Sequence, residues 1–287
     1  MYLTVLGHPA YCYTGGKTFD AAKPTIVFIH GVLNDHSVWI LQTRYLAHHG
    51  FNVLAVDLPG HGKSAGANRD IAPCLTVEAA ADFILALLDA AGVKTAALVG
   101  HSFGSLIALE AAARAPDRIT HLALVGTAFP MPVSAALLET SLNQPLKAID
   151  MVNTFSHSML APPPSSLGPG TWLYGSAKAL MRRVQASNTA FNLFFTGFTA
   201  CNDYKNGMAG VLSAKAAILF IVGKSDQMTP PKAAKTLIDA AKSAGKQVQV
   251  VTLEAGHQMM SEAPDGVLAA LKGFLAPLLV PQNALSA

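Results

Sequence analysis

Six short stretches, residues 25–29, 53–56, 96–99, 122–125, 217–222 and 248–253, constrain this chain most, because each is apolar or nearly so along its whole length. A strand with one wet face alternates apolar and polar side chains, so an unbroken apolar run indicates cover on both faces, as in a parallel sheet. Helical patterns lie between these runs. Thr76 precedes Val77, Ala81, Ile84, Leu88 and Ala91 at helical spacing, and Gly92 marks the stop. Further helical patterns cover about 102–115, 231–244 and 262–275. Strand and helix in alternation predict right-handed crossovers and an α/β fold, a mostly parallel sheet with helices on both faces.

The rhythm fails once. Residues 127–206 hold no clear buried strand, are rich in proline in the middle, and carry Met131, Met151, Phe155, Met159, Trp172, Tyr174, Met181, Phe191, Phe194, Phe195 and Phe198. We expect an inserted, mostly helical lid over residues 127–206, on a core formed by residues 1–126 and 207–287. Residues 151–177 have no charged side chain but contain Pro162-Pro163-Pro164, Gly168, Pro169 and Gly170, so they read as an apolar, irregular surface. A unit of this size buries proportionally little of its own surface. Some of its large side chains should therefore face a pocket and favour an apolar substrate.

Composition removes other classes. Charged residues are 13% of the chain and hydrophobic ones 51%, which excludes intrinsic disorder. Lys and Arg number 20 against 17 Asp and Glu, with no basic run longer than Arg182-Arg183, so nucleic acid is not an expected partner. No apolar run approaches the ~20 residues of a bilayer span; residues 216–222 stop at Gly223-Lys224. No secretory signal is evident in residues 1–16, and Cys12, Cys74 and Cys201 match neither a disulfide framework nor a metal motif, which favours a cytoplasmic location. Nothing in the sequence reports the oligomeric state.

Gly100-His101-Ser102-Phe103-Gly104 fits G-x-S-x-G, between the apolar run 96–99 and the helical pattern that follows. An ordinary glycine-rich turn also fits the spacing, but the strand–turn–helix setting is what a nucleophile elbow requires. Side chains at 100 and 104 would collide with a serine forced into so tight a turn. A serine hydroxyl needs a base, and the base needs an orienting group. His257 stands in Glu254-Ala255-Gly256-His257 just past the run 248–253, whereas His48 and His49 end a helix, His121 begins a strand and His8 precedes the core. For the acid, the run 122–125 continues into Gly126-Thr127-Ala128, without a carboxylate, and the run 217–222 continues into Gly223-Lys224-Ser225-Asp226. Asp226 is therefore the choice, with Asp203 in the insertion as reserve. An oxyanion would be held by two backbone N–H groups, of Phe103 at the helix start and of Val32 in His30-Gly31-Val32-Leu33. His30 itself reads as structural.

Taken with Trp39, the loop Asp57-Leu58-Pro59-Gly60-His61-Gly62-Lys63-Ser64 and the order Ser102, Asp226, His257, these motifs resemble the α/β-hydrolase superfamily over nearly the whole chain. The serine resembles its esterase, lipase, thioesterase and cofactor-free haloperoxidase branches; haloalkane dehalogenases and epoxide hydrolases carry aspartate there. The His-Gly turn lacks the Gly-Pro-Gly continuation of the meta-cleavage hydrolases, and no Gly-Gly-Pro-Gly of prolyl aminopeptidases is present. Gly62-Lys63-Ser64 is no P-loop, because Asp57 stands where the first glycine belongs. Gly60-His61-Gly62 lacks dinucleotide spacing, and His30, His36, His61 and His101 lack short ligand spacing for zinc. The resemblance implies a Ser–His–Asp hydrolase of a small apolar acyl substrate, with no cofactor and no metal. A carbon–carbon bond hydrolase, or a catalytically silent small-molecule binding protein of the same fold, is the alternative.

Overall fold

The computed structural model describes residues 1–66, 71–158 and 171–279. Among these, the strands are β1 (Tyr2–Val5), β2 (His8–Tyr13), β3 (Thr25–Ile29), β4 (Asn52–Val56), β5 (Ala96–His101), β6 (Ile119–Val125), β7 (Ala217–Gly223) and β8 (Val248–Leu253). The helices are α1 (Ile40–His48), α2 (Val77–Ala90), α3 (Phe103–Arg114), α4 (Ala135–Asn143), α5 (Pro145–Ser156), α6 (Leu173–Ser187), α7 (Leu193–Asp203), α8 (Gly207–Ser213), α9 (Pro231–Ser243), α10 (Met259–Glu262) and α11 (Pro264–Leu275). The strands form one sheet in the order β1-β2-β4-β3-β5-β6-β7-β8. From β4 to β8 all neighbours are parallel; β1 and β2 are antiparallel additions at one edge.

Each apolar run divides its side chains between two layers, as the two-residue period of a strand demands. Val27 and Ile29 face the layer of α2, α3, α8 and α9, with Leu106, Leu109, Val211 and Leu237. Ile26 and Phe28 face the layer of α1, α10 and α11, with Trp39, Leu46, Met259 and Leu271. Thr76 caps α2 by accepting from Ala79 N at 3.1 Å, as its position before the apolar pattern predicts.

Two readings of the strands need correction. Residues 248–253 form β8, but as an edge strand paired only with β7: Val250 is 41% exposed, so this run is not covered on both faces. The hairpin β1–β2 has no counterpart among the six apolar runs. Its turn, Leu6 at φ 50° and Gly7 at φ 84°, takes the double left-handed conformation that suits the twist of two strands, but Leu-Gly is an uncommon pair for it.

Between β6 and β7 run α4 to α8. Helix α8 packs on α3 in the core layer, while α4 to α7 gather around Ile149, Val152, Met181, Val184, Leu193, Phe194 and Phe198. Leu33, in the loop directly after β3, belongs to the same cluster, so these helices sit over the carboxyl ends of the parallel strands. Residues 151–156 and 173–177 are helical rather than irregular; Met159 and the prolines from 162 to 169 lie outside the described residues. Among the described residues no helix is long and apolar enough to cross a membrane.

Candidate active site

Ser102 joins β5 to α3 at φ 54° and ψ −119°, a region that a residue with a Cβ rarely occupies and that surrounding structure must impose. The imposition is visible in its neighbours. A Cβ on Gly100 would lie 2.1 Å from Gly104 O, and one on Gly104 would lie 2.4 Å from Ile29 O. Ser102 N donates to Val125 O at 2.9 Å, and Ser102 O accepts from Ser105 N at 2.8 Å. The backbone is fully tied, yet the Ser102 hydroxyl has no hydrogen-bond partner among the described residues and opens into a cavity that His257 also lines.

Asp226 follows β7 and is 3% exposed. Its Oδ1 accepts from Met228 N and Thr229 N, both at 2.8 Å, and its Oδ2 accepts from Thr229 Oγ1 at 2.8 Å. The remaining direction at Oδ2 is taken by His257, whose Nδ1–H donates at 2.8 Å. Because a carboxylate only accepts, the proton sits on Nδ1 and Nε2 is left as the basic nitrogen. Burial alone would raise the Asp226 carboxyl, but the His257 ring and the Thr229 hydroxyl and amide outweigh it and hold the pKa below its ordinary value.

The His257 backbone is held from two sides. His257 N donates to Ser156 O at the end of α5 at 2.8 Å, and His257 O accepts from His101 Nε2–H at 2.9 Å. Burial, with His257 alongside, pushes the His101 imidazole down to about 3. His101 is thus a neutral donor between the elbow and the histidine loop. Glu262, 3% exposed, accepts from Ser158 N at 3.0 Å and from Ser158 Oγ, tying the same loop to the end of α5.

The loop after β3 completes the site. His30 is fully buried; its Nε2 accepts from Leu58 N at 3.1 Å, so its Nδ1–H donates to Gly31 O at 2.8 Å. Gly31 O also accepts from Asn34 N at 3.2 Å, and Leu33 between them has φ 54°. His30 therefore fixes a strained turn, in keeping with a structural reading. Val32 N–H and Phe103 N–H have no acceptor among the described residues. Phe103 N is the first of α3, where the helix dipole favours negative charge.

The cavity at Ser102 has a volume of about 230 Å³ and apolar walls of Met131, Pro132, Val133, Leu137, Phe155 and Phe198. Among the described residues no Asp, Glu, Lys or Arg lines it. Of the cations in the insertion, Lys178 pairs with Asp150 and Arg183 with Asp35. Asp203 ends α7, exposed, with Oδ1 accepting from Asn202 Nδ2, and lies outside this cavity. Asp35, His36 and Asp57 bring three possible metal-ligand atoms within 4.8 Å of one another. Their oxygens are already engaged: Asp57 accepts from His36 N, His36 Nδ1 and Lys63 N, and Asp35 from Ser37 and Arg183.

Ser102, Asp226 and His257, singled out along the sequence, come together here; Val32 and Phe103 flank the serine. Sequence reasoning missed Thr229, His101 and Glu262. Thr229 had a signal, since an aspartate followed two and three residues on by free N–H groups makes an Asx turn. His101 and Glu262 had none, because their partners are distant in the chain.

Residues 24–264 match the model of the alpha/beta hydrolase fold family, and the chain belongs to that family. Among curated proteins it is similar to the dihydrolipoyllysine-residue acetyltransferase component of the acetoin cleaving system of Pseudomonas putida, 27% identical over 255 residues, 87% of this chain and 63% of that protein. The component of the same name from Cupriavidus necator is 37% identical over 101 residues, 35% of this chain and 26% of that protein. The matches thus span less than two thirds of either relative. Among solved structures, an esterase from Exiguobacterium antarcticum superposes with a TM-score of 0.78 at 18% identity, covering 96% of this chain and 98% of that one, which is a likeness of fold.

Proposed function

We propose that this protein is a serine hydrolase that cleaves a carboxylic ester or closely related acyl compound, with an apolar small-molecule substrate. One observation carries the reading. An unpaired serine hydroxyl on a strained elbow shares a cavity with a histidine whose Nδ1 is occupied by a buried carboxylate. In the mechanism, Ser102 Oγ attacks the carbonyl carbon while His257 Nε2 takes the hydroxyl proton. Asp226 holds the ring and stabilises its positive charge, and the N–H groups of Val32 and Phe103 receive the oxyanion. His257 then protonates the leaving oxygen, an acyl–Ser102 ester remains, and water, deprotonated by His257, releases the acid. The esterase among the structural neighbours and the acyl transfer named for the two curated relatives are both compatible with an acyl-enzyme. Helices α4 to α7, within residues 127–206, act as the lid, and a cavity lining without Asp, Glu, Lys or Arg among the described residues favours a neutral acyl group.

The test is covalent labelling by a fluorophosphonate together with turnover of p-nitrophenyl esters from acetyl to hexanoyl. Wild type should be labelled and should hydrolyse butanoyl or hexanoyl better than acetyl esters; Ser102→Ala should lose both labelling and turnover. Each buried CH₂ contributes up to ~0.8 kcal/mol until the cavity is full. Labelling that persists in Ser102→Ala overturns the nucleophile. A protein that takes no label and cleaves no ester overturns the ester hydrolase, and turnover of a vinylogous diketone then separates a carbon–carbon bond hydrolase from a binding protein.

A further inference from the structure

Ser102 is reached from two sides. Besides the apolar cavity, a small chamber of about 30 Å³ is lined by Ser102 and His257 together with Gly31, Val32, Asn34 and Gln258. Asn34 and Gln258 also line a groove of about 360 Å³ that runs under α6, with Leu41, Leu173, Leu180 and Arg183. The chamber thus shares the reacting residues with the cavity and its two amides with the groove. These amides stand where the chamber meets the groove.

Asn34 is 4% and Gln258 7% exposed, and neither side chain has a hydrogen-bond partner among the described residues. The amide atoms of both side chains stay open to accessible space rather than sealed in, and polar groups so placed are satisfied by water or by a ligand. Two at one constriction, one following the oxyanion loop and the other following the histidine, offer both donors and acceptors toward the same space. Arg183 in the groove is neutralised by Asp35 at 3.0 Å, so the groove does not select an anion. Its remaining wall is largely aliphatic.

We infer that the substrate has two arms across its acyl bond. A short apolar arm fills the cavity. The other threads the chamber with a neutral hydrogen-bonding group, a secondary amide or hydroxyl, paired to Asn34 and Gln258, and then lays an aliphatic chain in the groove under α6. This inference rests on the reading of Ser102 as nucleophile and adds the class of substrate.

The experiment compares kcat/KM for matched esters: butanoates of amide-bearing alcohols, such as 2-(hexanoylamino)ethyl butanoate, against nonyl butanoate. The spacing between ester and amide varies from one to four methylenes, and a mirrored set places the amide in the acyl chain of butyl esters. At one spacing wild type should prefer the amide ester at least tenfold, because the alkyl chain leaves both amides desolvated and unpaired. Asn34→Leu and Gln258→Leu should each bring that ratio toward one. Ser176→Trp, at an exposed position on the groove wall, should lower kcat/KM for the long amide ester relative to a truncated acetylamino analogue. Calorimetric binding of the same ester pair to Ser102→Ala separates the two ideas. Esters cleaved by Ser102 with no amide preference at any spacing overturn the two-armed substrate and leave the hydrolase standing. If wild type cleaves none of these esters, tighter binding of the amide ester to Ser102→Ala keeps the two-armed ligand and overturns the hydrolase, and equal binding removes both.

Discussion

Replacing Ser102 by glycine should stabilise the fold while removing the chemistry. The residue is held at φ 54° and ψ −119°, and a non-glycine residue in so sparsely populated a region costs ~1–3 kcal/mol. Glycine occupies that region freely, at an entropic cost of ~0.5–1 kcal/mol relative to alanine. The serine hydroxyl has no hydrogen bond to lose among the described residues. Relief of strain therefore exceeds the entropic term, by about 1 kcal/mol near the middle of these ranges. With an unfolding entropy of ~2.1 cal/mol/K per residue, 287 residues give about 0.6 kcal/mol/K, so the gain is about 2 °C in Tm.

Ser102→Ala provides the comparison, since alanine lacks the hydroxyl but keeps the Cβ and hence the strain. Calorimetric melting of the two variants should place the glycine variant above the alanine one by a few degrees, with neither hydrolysing esters. Where a backbone is relaxed the order is opposite, because glycine is the less stabilising residue. A glycine variant that melts below the alanine variant refutes the stored strain, and one that still turns over ester refutes the nucleophile.

Asp226→Asn should lower kcat by about 10⁴, because an amide favours the wrong histidine tautomer, and lower Tm modestly, since its carbonyl can still accept from Met228 N and Thr229 N but the charge that the folded site stabilises is gone; an equal loss of kcat in Asp203→Asn would move the acid to α7. Thr229→Val should cost about 10- to 100-fold in kcat, the value of one hydrogen bond to a charged carboxylate, and a silent variant would show that Asp226 needs no second support. Stability should fall with acid. His61 and His101 are each pushed from 6.5 to about 3, first by burial and then by a neighbouring histidine, so below ~6.5 the unfolded chain binds protons that the folded one refuses. The loss is ~1.4 kcal/mol per pH unit per histidine, about 2.5 kcal/mol between pH 6 and pH 5 for the pair. Asp226, with its lowered pKa, adds a loss only as pH falls below the ordinary carboxylate range. Urea unfolding at pH 7, 6 and 5 measures the slope, and equal stability at all three contradicts the buried neutral rings.

The parts of the fold that announced themselves are those whose cause is local. An apolar run without alternation needs two covered faces, and β3 to β7 have them; β8 carries the same kind of run at the edge, where only one neighbour pairs with it. The elbow was legible because glycine at 100 is demanded by Gly104 O four residues on, within the motif itself; glycine at 104 answers to Ile29 O at the distant end of β3, and only the motif spacing announced it. The hairpin β1–β2 was not, because its alternation is partial and Leu6 takes a left-handed turn position that asparagine or glycine usually marks. The insertion was expected to hold large apolar side chains near Ser102, and Met131, Phe155 and Phe198 line the cavity. Trp172, by contrast, is 60% exposed, and nothing in its sequence context separates it from Phe198. Which side chain faces the cavity depends on how α5, α6 and α7 cross, and that is set by packing around Phe194 and Met181 rather than by periodicity.

Asp226 shows why a local and a long-range reading of one residue need not compete. An aspartate in Lys224-Ser225-Asp226 can be explained as a turn former, and it is one: Oδ1 accepts from the amides two and three residues on. Its other oxygen is thereby fixed in direction and presented to a histidine that lies 31 residues later in the chain. The turn supplies the rigidity that the proposed role of this contact requires, since an orienting group free to rotate would not hold the ring in one tautomer. His101 works in the opposite order: its ring donates to a carbonyl 156 residues away, and no turn or helix of its own requires a histidine. A residue whose local geometry also serves the site leaves a trace in the sequence around it, and a residue recruited only through the tertiary fold leaves none; Thr229 falls in the first group, and His101, Glu262, Asn34 and Gln258 fall in the second.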